Sequence, residues 1–142
     1  MNIHILTIGQ PKLDYAQRGW DEYWKRLGHF HNLRATHLAD KHNDAKHILE
    51  KVGQTFVIAL AIDGKQLSSP ELASFMEKRA LDSKEVSFVI GGPEGLPKEL
   101  LGRADYQLSL GSLTLPHDLA MVVLLEALYR ASSINAGLPY HK

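Results

Sequence analysis

The sequence predicts an α/β fold: a mostly parallel sheet flanked by helices. Apolar, β-branched runs alternate with stretches whose apolar residues recur at helical spacing. The first run, Asn2 to Ile8, is near-continuously apolar, as in a strand covered on both faces. Most of the segments close on a glycine signal. With 142 residues and no internal repeat, low-complexity segment or linker, one domain over 1–142 is expected.

Asn2 to Ile8 reads as the first strand, stopped by Gly9-Gln10-Pro11. Asp14 to Leu27 places Tyr15, Trp20, Tyr23, Trp24 and Leu27 at spacings that can share a helical face, and Gly28 ends it. Leu33 to Leu38 is the second strand, and Asn43 to Val52 the second helix. Phe56 to Ile62 is the clearest buried strand, broken by the turn signal Asp63-Gly64. Ser69-Pro70-Glu71 starts a helix running to about Leu81, with Ser69 as its cap. Glu85 to Ile90 is the fourth strand, Pro97 to Leu101 a short helix, and Tyr106 to Leu110 the fifth strand. A long helix follows from His117 to Ile134, and residues 138–142 remain as a tail.

Charge and composition exclude several functions. The 16 basic residues balance the 16 acidic ones, so net charge does not announce a nucleic-acid binder, although a local patch remains open. The absence of cysteine removes disulfides, thiolate nucleophiles and cysteine metal sites, and fits a cytoplasmic location. The first residues lack a signal-peptide pattern. The longest apolar run, Leu119 to Leu125, falls well short of the roughly 20 residues that span a bilayer, so no membrane is expected. No Gly-x-Ser-x-Gly elbow is present, which argues against a covalent hydrolase.

Two loops stand out, both at strand ends that open towards a helix, where open α/β sheets bind ligands. Gly91-Gly92-Pro93-Glu94-Gly95 matches neither dinucleotide nor phosphate-loop fingerprints, and Glu94 would repel a polyphosphate. A neutral or cationic ligand suits it better, and an ordinary strand-to-helix turn is the simplest reading of it alone. In 110–115, Leu110, Leu113 and Leu115 interleave with Gly111, Ser112 and Thr114. An apolar wall with backbone donors and acceptors is the mixture that grips an adenine ring, while leucines at these positions read equally as core.

His29, His31, His37, His42 and His47 crowd one region without the spacing of a helical zinc site, so solvated surface histidines and no metal are expected. His117 differs, lying between the second loop and the long helix. Glu126 and Arg130, four residues apart, form a helix-stabilising pair in the simplest reading. Tyr140, His141 and Lys142 would ordinarily fray, yet such a trio also suits a nucleotide base and its phosphate.

Taken together, Ile90-Gly-Gly-Pro-Glu-Gly95, Leu113-Thr-Leu-Pro-His117, Glu126-Ala-Leu-Tyr-Arg-Ala131 and Pro139-Tyr-His141 resemble the RlmH-type ribosomal RNA methyltransferases of the SPOUT class. The resemblance covers the whole chain. It implies a C-terminal deep trefoil knot, which periodicity cannot show. It also implies an S-adenosylmethionine site at Leu60, Gly91, Leu110, Gly111, Ser112, Leu113, Thr114 and Leu115. The implied reaction methylates N3 of a pseudouridine in large-subunit (23S) ribosomal RNA on the assembled ribosome, by a homodimer. His117, Tyr140 and His141 are the candidate catalytic residues, and Arg130 and Lys142 candidate RNA contacts. The chain departs from the family at Met121, where arginine is common. The alternative is a non-catalytic knotted dimer that binds S-adenosylmethionine or RNA, and Met121 is the feature that favours it.

Overall fold

The computed structural model describes residues 1–83 and 85–142. Five strands pair in the order β2-β1-β4-β3-β5, and every pairing is parallel. They are β1 (Asn2–Ile8), β2 (Asn32–Leu38), β3 (Phe56–Gln66), β4 (Glu85–Ile90) and β5 (Tyr106–Ser109). The helices are α1 (Asp14–Leu27), α2 (Ala45–Val52), α3 (Ser69–Asp82), α4 (Lys98–Arg103) and α5 (His117–Asn135).

The period of two along each strand sorts the core into two layers. Ile3, Ile5, Ile58, Val86 and Phe88 face α1, α3 and α5, which contribute Trp20, Met76 and Leu124 among others. Leu6, Ile8, Val57 and Val89 face α2 and α4, which contribute Ile48, Val52 and Leu100. β1 and β4, central in the sheet, are buried along almost their whole lengths, whereas the edge strand β2 is mostly polar.

One polar string interrupts the second layer. His4 and Ser87 are register partners across β1 and β4, and both are fully buried. His4 Nε2 pairs with Thr36 Oγ1 at 2.8 Å and Nδ1 with Ser87 Oγ at 3.3 Å, and Ser87 continues to Thr55 Oγ1 at 2.7 Å. Burial, with the positive Arg34 as a smaller cause, lowers the His4 imidazole to about 4, against the opposing pull of Glu85.

Several expectations change. β3 does not stop at Asp63-Gly64: it bulges between Leu60 and Lys65, and both residues pair with Leu108 of β5. Gly64 serves close approach, since a Cβ there would lie 2.8 Å from the Gln107 carbonyl carbon. The α3 cap is Ser68, which accepts from Glu71 N at 3.2 Å while Glu71 Oε1 accepts from Ser68 N at 2.8 Å. α2 begins only at Ala45, because Asp44 caps it and residues Asp40–His42 form a separate 3₁₀ turn. β2 starts one residue early, and β5 ends at Ser109 because Leu110 already belongs to the loop. α4 slides to Lys98–Arg103, and α5 runs one residue further to Asn135.

The histidines are also less solvated than expected. His29 is exposed, but His31, His37, His42 and His47 are half-buried. His31 Nε2 pairs with Ser132 Oγ at 2.9 Å, and burial, followed by the N-terminal amine, brings its imidazole down to about 4. His37 pairs with Thr7 through Nδ1, and the His42 and His47 rings stack 4.2 Å apart.

His4 and His31 therefore make stability depend on pH. Their folded values near 4 lie below the ordinary 6.5, so the unfolded chain binds protons first as pH falls. The stability is full above 6.5 and is lost between 6.5 and about 4, by on the order of 2 kcal/mol after solvent screening. Denaturant midpoints across that window test this, and a flat profile would contradict it.

Candidate active site

Parallel pairing brings the carboxyl ends of β4, β3 and β5 to one edge, and a cleft of about 900 Å³ opens there. That volume lies in the range of small-molecule sites. Its walls are the irregular middle of β3 (60–63), the loop 91–96 after β4, residues 110, 111 and 113–116 of the loop after β5, and His117 and Ala120 of α5.

Backbone geometry shapes both loops. Gly92 and Gly95 bridge each other, with Gly95 N donating to Gly92 O at 2.9 Å. A Cβ on Gly91 would lie 2.5 Å from the Gly95 carbonyl carbon and 2.8 Å from Leu96 N, so only glycine allows the loop to close on itself. Asn43 Nδ2 donates to Gly95 O at 3.0 Å across 52 residues of sequence and holds the loop from outside. In the second loop Ser109 Oγ bonds both Gly111 N and Gly111 O, at 3.1 and 3.0 Å.

The cleft is apolar with a negative rim. Leu60, Ile90, Leu96, Leu110, Leu113 and Leu115 supply the apolar wall, and Leu113 is 82% exposed. A leucine that open at a cleft mouth costs free energy unless something covers it. Asp63, Glu94 and His117 are its ionisable wall groups. The two carboxylates suit a cation and oppose a polyphosphate.

Of the predicted cofactor residues, Leu60, Gly91, Leu110, Gly111, Leu113, Thr114 and Leu115 line the cleft together. Ser112 does not: its hydroxyl accepts from Gln66 Nε2 at 3.0 Å outside the wall. Met121 is fully buried in the core beneath α5. Position 121 therefore faces the sheet, and methionine there packs where a charged head would lack water.

Tyr140, His141, Arg130 and Lys142 lie elsewhere on the chain. Arg130 is 13 residues beyond His117 along α5, about 20 Å at 1.5 Å per residue. The tail does not fray: Pro139–His141 forms a 3₁₀ turn, closed by Lys142 N donating to Pro139 O. Tyr140 Oη donates to Glu126 Oε2 at 2.9 Å and accepts from Tyr23 Oη at 3.0 Å. Its ring meets Tyr129 edge-on at 4.7 Å and carries the Arg130 guanidinium at 5.0 Å. Arg130 is bound to the same Glu126 oxygen at 2.7 Å. His141 Nδ1 donates to Leu138 O at 3.1 Å. Burial first, then the bonds to Tyr23 and Glu126, raise the Tyr140 phenol above its ordinary value, so it stays protonated well into the alkaline range.

Asp63, Asn43 and Asp118 escape sequence reasoning. Asp63 reads as a turn residue, and Asn43 and Asp118 as ordinary helix-start residues. Asn43 and Asp118 bond distant backbone, the irregular stretch of β3 carries Asp63 to the cleft, and no local pattern signals either. Among the described residues, no three His, Asp or Glu side chains converge as metal ligands, and no helix is long and apolar enough to cross a membrane.

A family model described as predicted SPOUT methyltransferase matches residues 1–141. A protein of Deinococcus radiodurans named ribosomal RNA large subunit methyltransferase H is 48% identical, covering 100% of this chain and 99% of its own. A protein of the same name in Clostridioides difficile is 43% identical, with both chains covered fully. Among solved structures, a probable methylase family protein of Haemophilus influenzae aligns with 99% of this chain and 70% of its own, at TM-score 0.65 and 16% identity. A tRNA (m1G37) methyltransferase of Aquifex aeolicus gives 0.60 over 99% and 71%, also at 16% identity. These two share the fold.

Tyr140 should ionise above the ordinary phenol range, since burial and its bonds to Tyr23 and Glu126 raise it. Absorbance titration of the chain and of Tyr140→Phe checks this: the substitution removes an alkaline component. Identical high-pH limbs would contradict it.

Proposed function

The chain belongs to the SPOUT methyltransferase family, and on that premise we propose that it methylates N3 of a pseudouridine in large-subunit ribosomal RNA, with S-adenosylmethionine as donor. The observation that carries the reading is the cleft: two glycine loops, an apolar wall, two rim carboxylates and one imidazole, at the carboxyl edge of a parallel sheet. When bound there, S-adenosylmethionine supplies a methyl carbon made electrophilic by its sulfonium. The leucines of the wall and the backbone of 91–95 and 110–115 hold its adenosine. Asp63 and Glu94 favour its positive charge.

The chain's own task is alignment and proton removal. N3 of the target base gains a methyl group and loses its proton, and His117 on the cleft wall takes that proton. Tyr140, held as a donor, and His141 shape the base's surroundings. Since Arg130 lies about 20 Å from His117 along α5 and Tyr140 is held beside it on Glu126, a two-fold dimer completes each site with the tail of a second copy. Membership of the family implies that the two loops belong to a C-terminal trefoil knot. A ribosomal substrate places the reaction in the cytoplasm. The balanced charge supports action on the assembled ribosome, where neighbouring surfaces present the base, over tight binding of free RNA.

Gly91→Ala should weaken S-adenosylmethionine binding at least about 10-fold in calorimetry, because the added methyl forces the loop open; unchanged affinity would move the donor site elsewhere. Mass spectrometry of large-subunit RNA from cells with and without the gene tests the reaction, with the loss of one methyl on one pseudouridine expected. An unchanged spectrum would favour the non-catalytic binder. Methylation in vitro should be faster on ribosomes than on deproteinised RNA.

A further inference from the structure

Asp118 occupies an unusual place. It is the second residue of α5, and its side chain is 4% exposed. Its Oδ2 accepts from Lys12 N and from Leu13 N, each at 2.8 Å, across more than a hundred residues of sequence. Leu13 is the N-cap residue of α1 and has no side-chain cap of its own. The carboxylate therefore binds the start of α1 to the start of α5 and cannot rotate without releasing two amides. Its other oxygen, Oδ1, is buried and makes no hydrogen bond with a protein donor. The group beside it is His117 Nε2, at 3.2 Å.

We infer that Asp118 is a positioning residue for the proposed reaction: its fixed carboxylate holds the N–H of His117 on Nε2 and leaves Nδ1 as the acceptor. The reasoning is geometric. A buried carboxylate oxygen without a donor costs free energy, and a small ring rotation of His117 supplies one. An anion facing Nε2 selects the tautomer that places its proton there. The ring is only partly buried, lines the cleft, and has one nitrogen committed to Asp118, so the free nitrogen serves the cleft. In the transfer, the N3–H bond of the base breaks and its proton passes to Nδ1, while N3 forms its bond to the methyl carbon as the carbon–sulfur bond breaks. The ring becomes an imidazolium, stabilised by Asp118, and returns the proton to water. No oxidant or reductant is required.

This inference rests on the reading of His117 as the proton acceptor, and the test separates the two. Asp118→Asn retains an oxygen for Lys12 N and Leu13 N but turns an amide donor towards His117. The ring should then carry its proton on Nδ1 and lose its acceptor. Nitrogen chemical shifts of His117 in the free protein report the tautomer without any donor or RNA. We expect Nε2–H in the natural chain and Nδ1–H in Asp118→Asn. In turnover, kcat should fall about 100-fold, with the affinity for S-adenosylmethionine changed less than about two-fold. A natural chain with its proton on Nδ1 overturns the inference, and this spectrum decides even where the variant is unstable. A tautomer that switches while kcat holds overturns the catalytic half by removing His117 as acceptor. A chain that methylates no ribosomal RNA overturns the proposed function, while Nε2–H in its spectrum still supports the contact.

Discussion

All-parallel pairing is the constraint on which the rest of this molecule depends. β1 and β4 have partners on both sides and are covered on both faces, so their backbones are satisfied only within the sheet. Parallel strands need crossovers, and here each crossover is a helix. The loops that follow β4, β3 and β5 consequently emerge at one edge. A cleft between them follows from the topology, before any side chain is chosen.

Short polar side chains then fix the elements against one another. Asp105 accepts from Val57 N at 2.7 Å, Asn135 donates to Ala73 O at 3.0 Å, Asn43 binds the loop at Gly95, and Asp118 binds the start of α1. A hydrogen bond to a charged group is worth about 1.5–3 kcal/mol, and leaving a buried backbone amide unmade costs about as much. These anchors join elements far apart in sequence, so each loop is set by the tertiary fold around it. The balance of acidic and basic residues thus conceals a division of labour. Some acids are structural clamps, and two others, Asp63 and Glu94, face the cleft.

The proposed site has two halves with different characters. The cleft is open, with an almost uncovered leucine at its mouth. The tail cluster is closed, its tyrosines, arginines and Glu126 satisfying one another. α5 joins them rigidly. Its fully buried Met121, Leu124, Leu125 and Leu128 pack on the sheet, so one end cannot move towards the other within one chain.

Much of this was legible in the residues. β1, α1 and β4 occupy the spans that their periodicity and end signals mark, because a buried parallel strand and an amphipathic helix write their burial into local pattern. The motif set around Gly91 and Leu110–Leu115 marked the loops that line the cleft. Local pattern misled where a partner lay far away. Asp63-Gly64 has turn chemistry, yet β5 pairs on past it; Ser69 has cap chemistry, yet Glu71 faces Ser68. His31 and His37 read as surface because their partners, Ser132 and Thr7, lie 101 and 30 residues away. Composition and periodicity by themselves determined the α/β class, the order of elements and the two ligand-facing loops. Only the tertiary structure decided that Met121 is core, that Ser112 turns to Gln66, and that Asp118 holds the start of α1. Those are contacts between distant segments, and a hydrogen bond across a hundred residues leaves no trace in the spacing of either end.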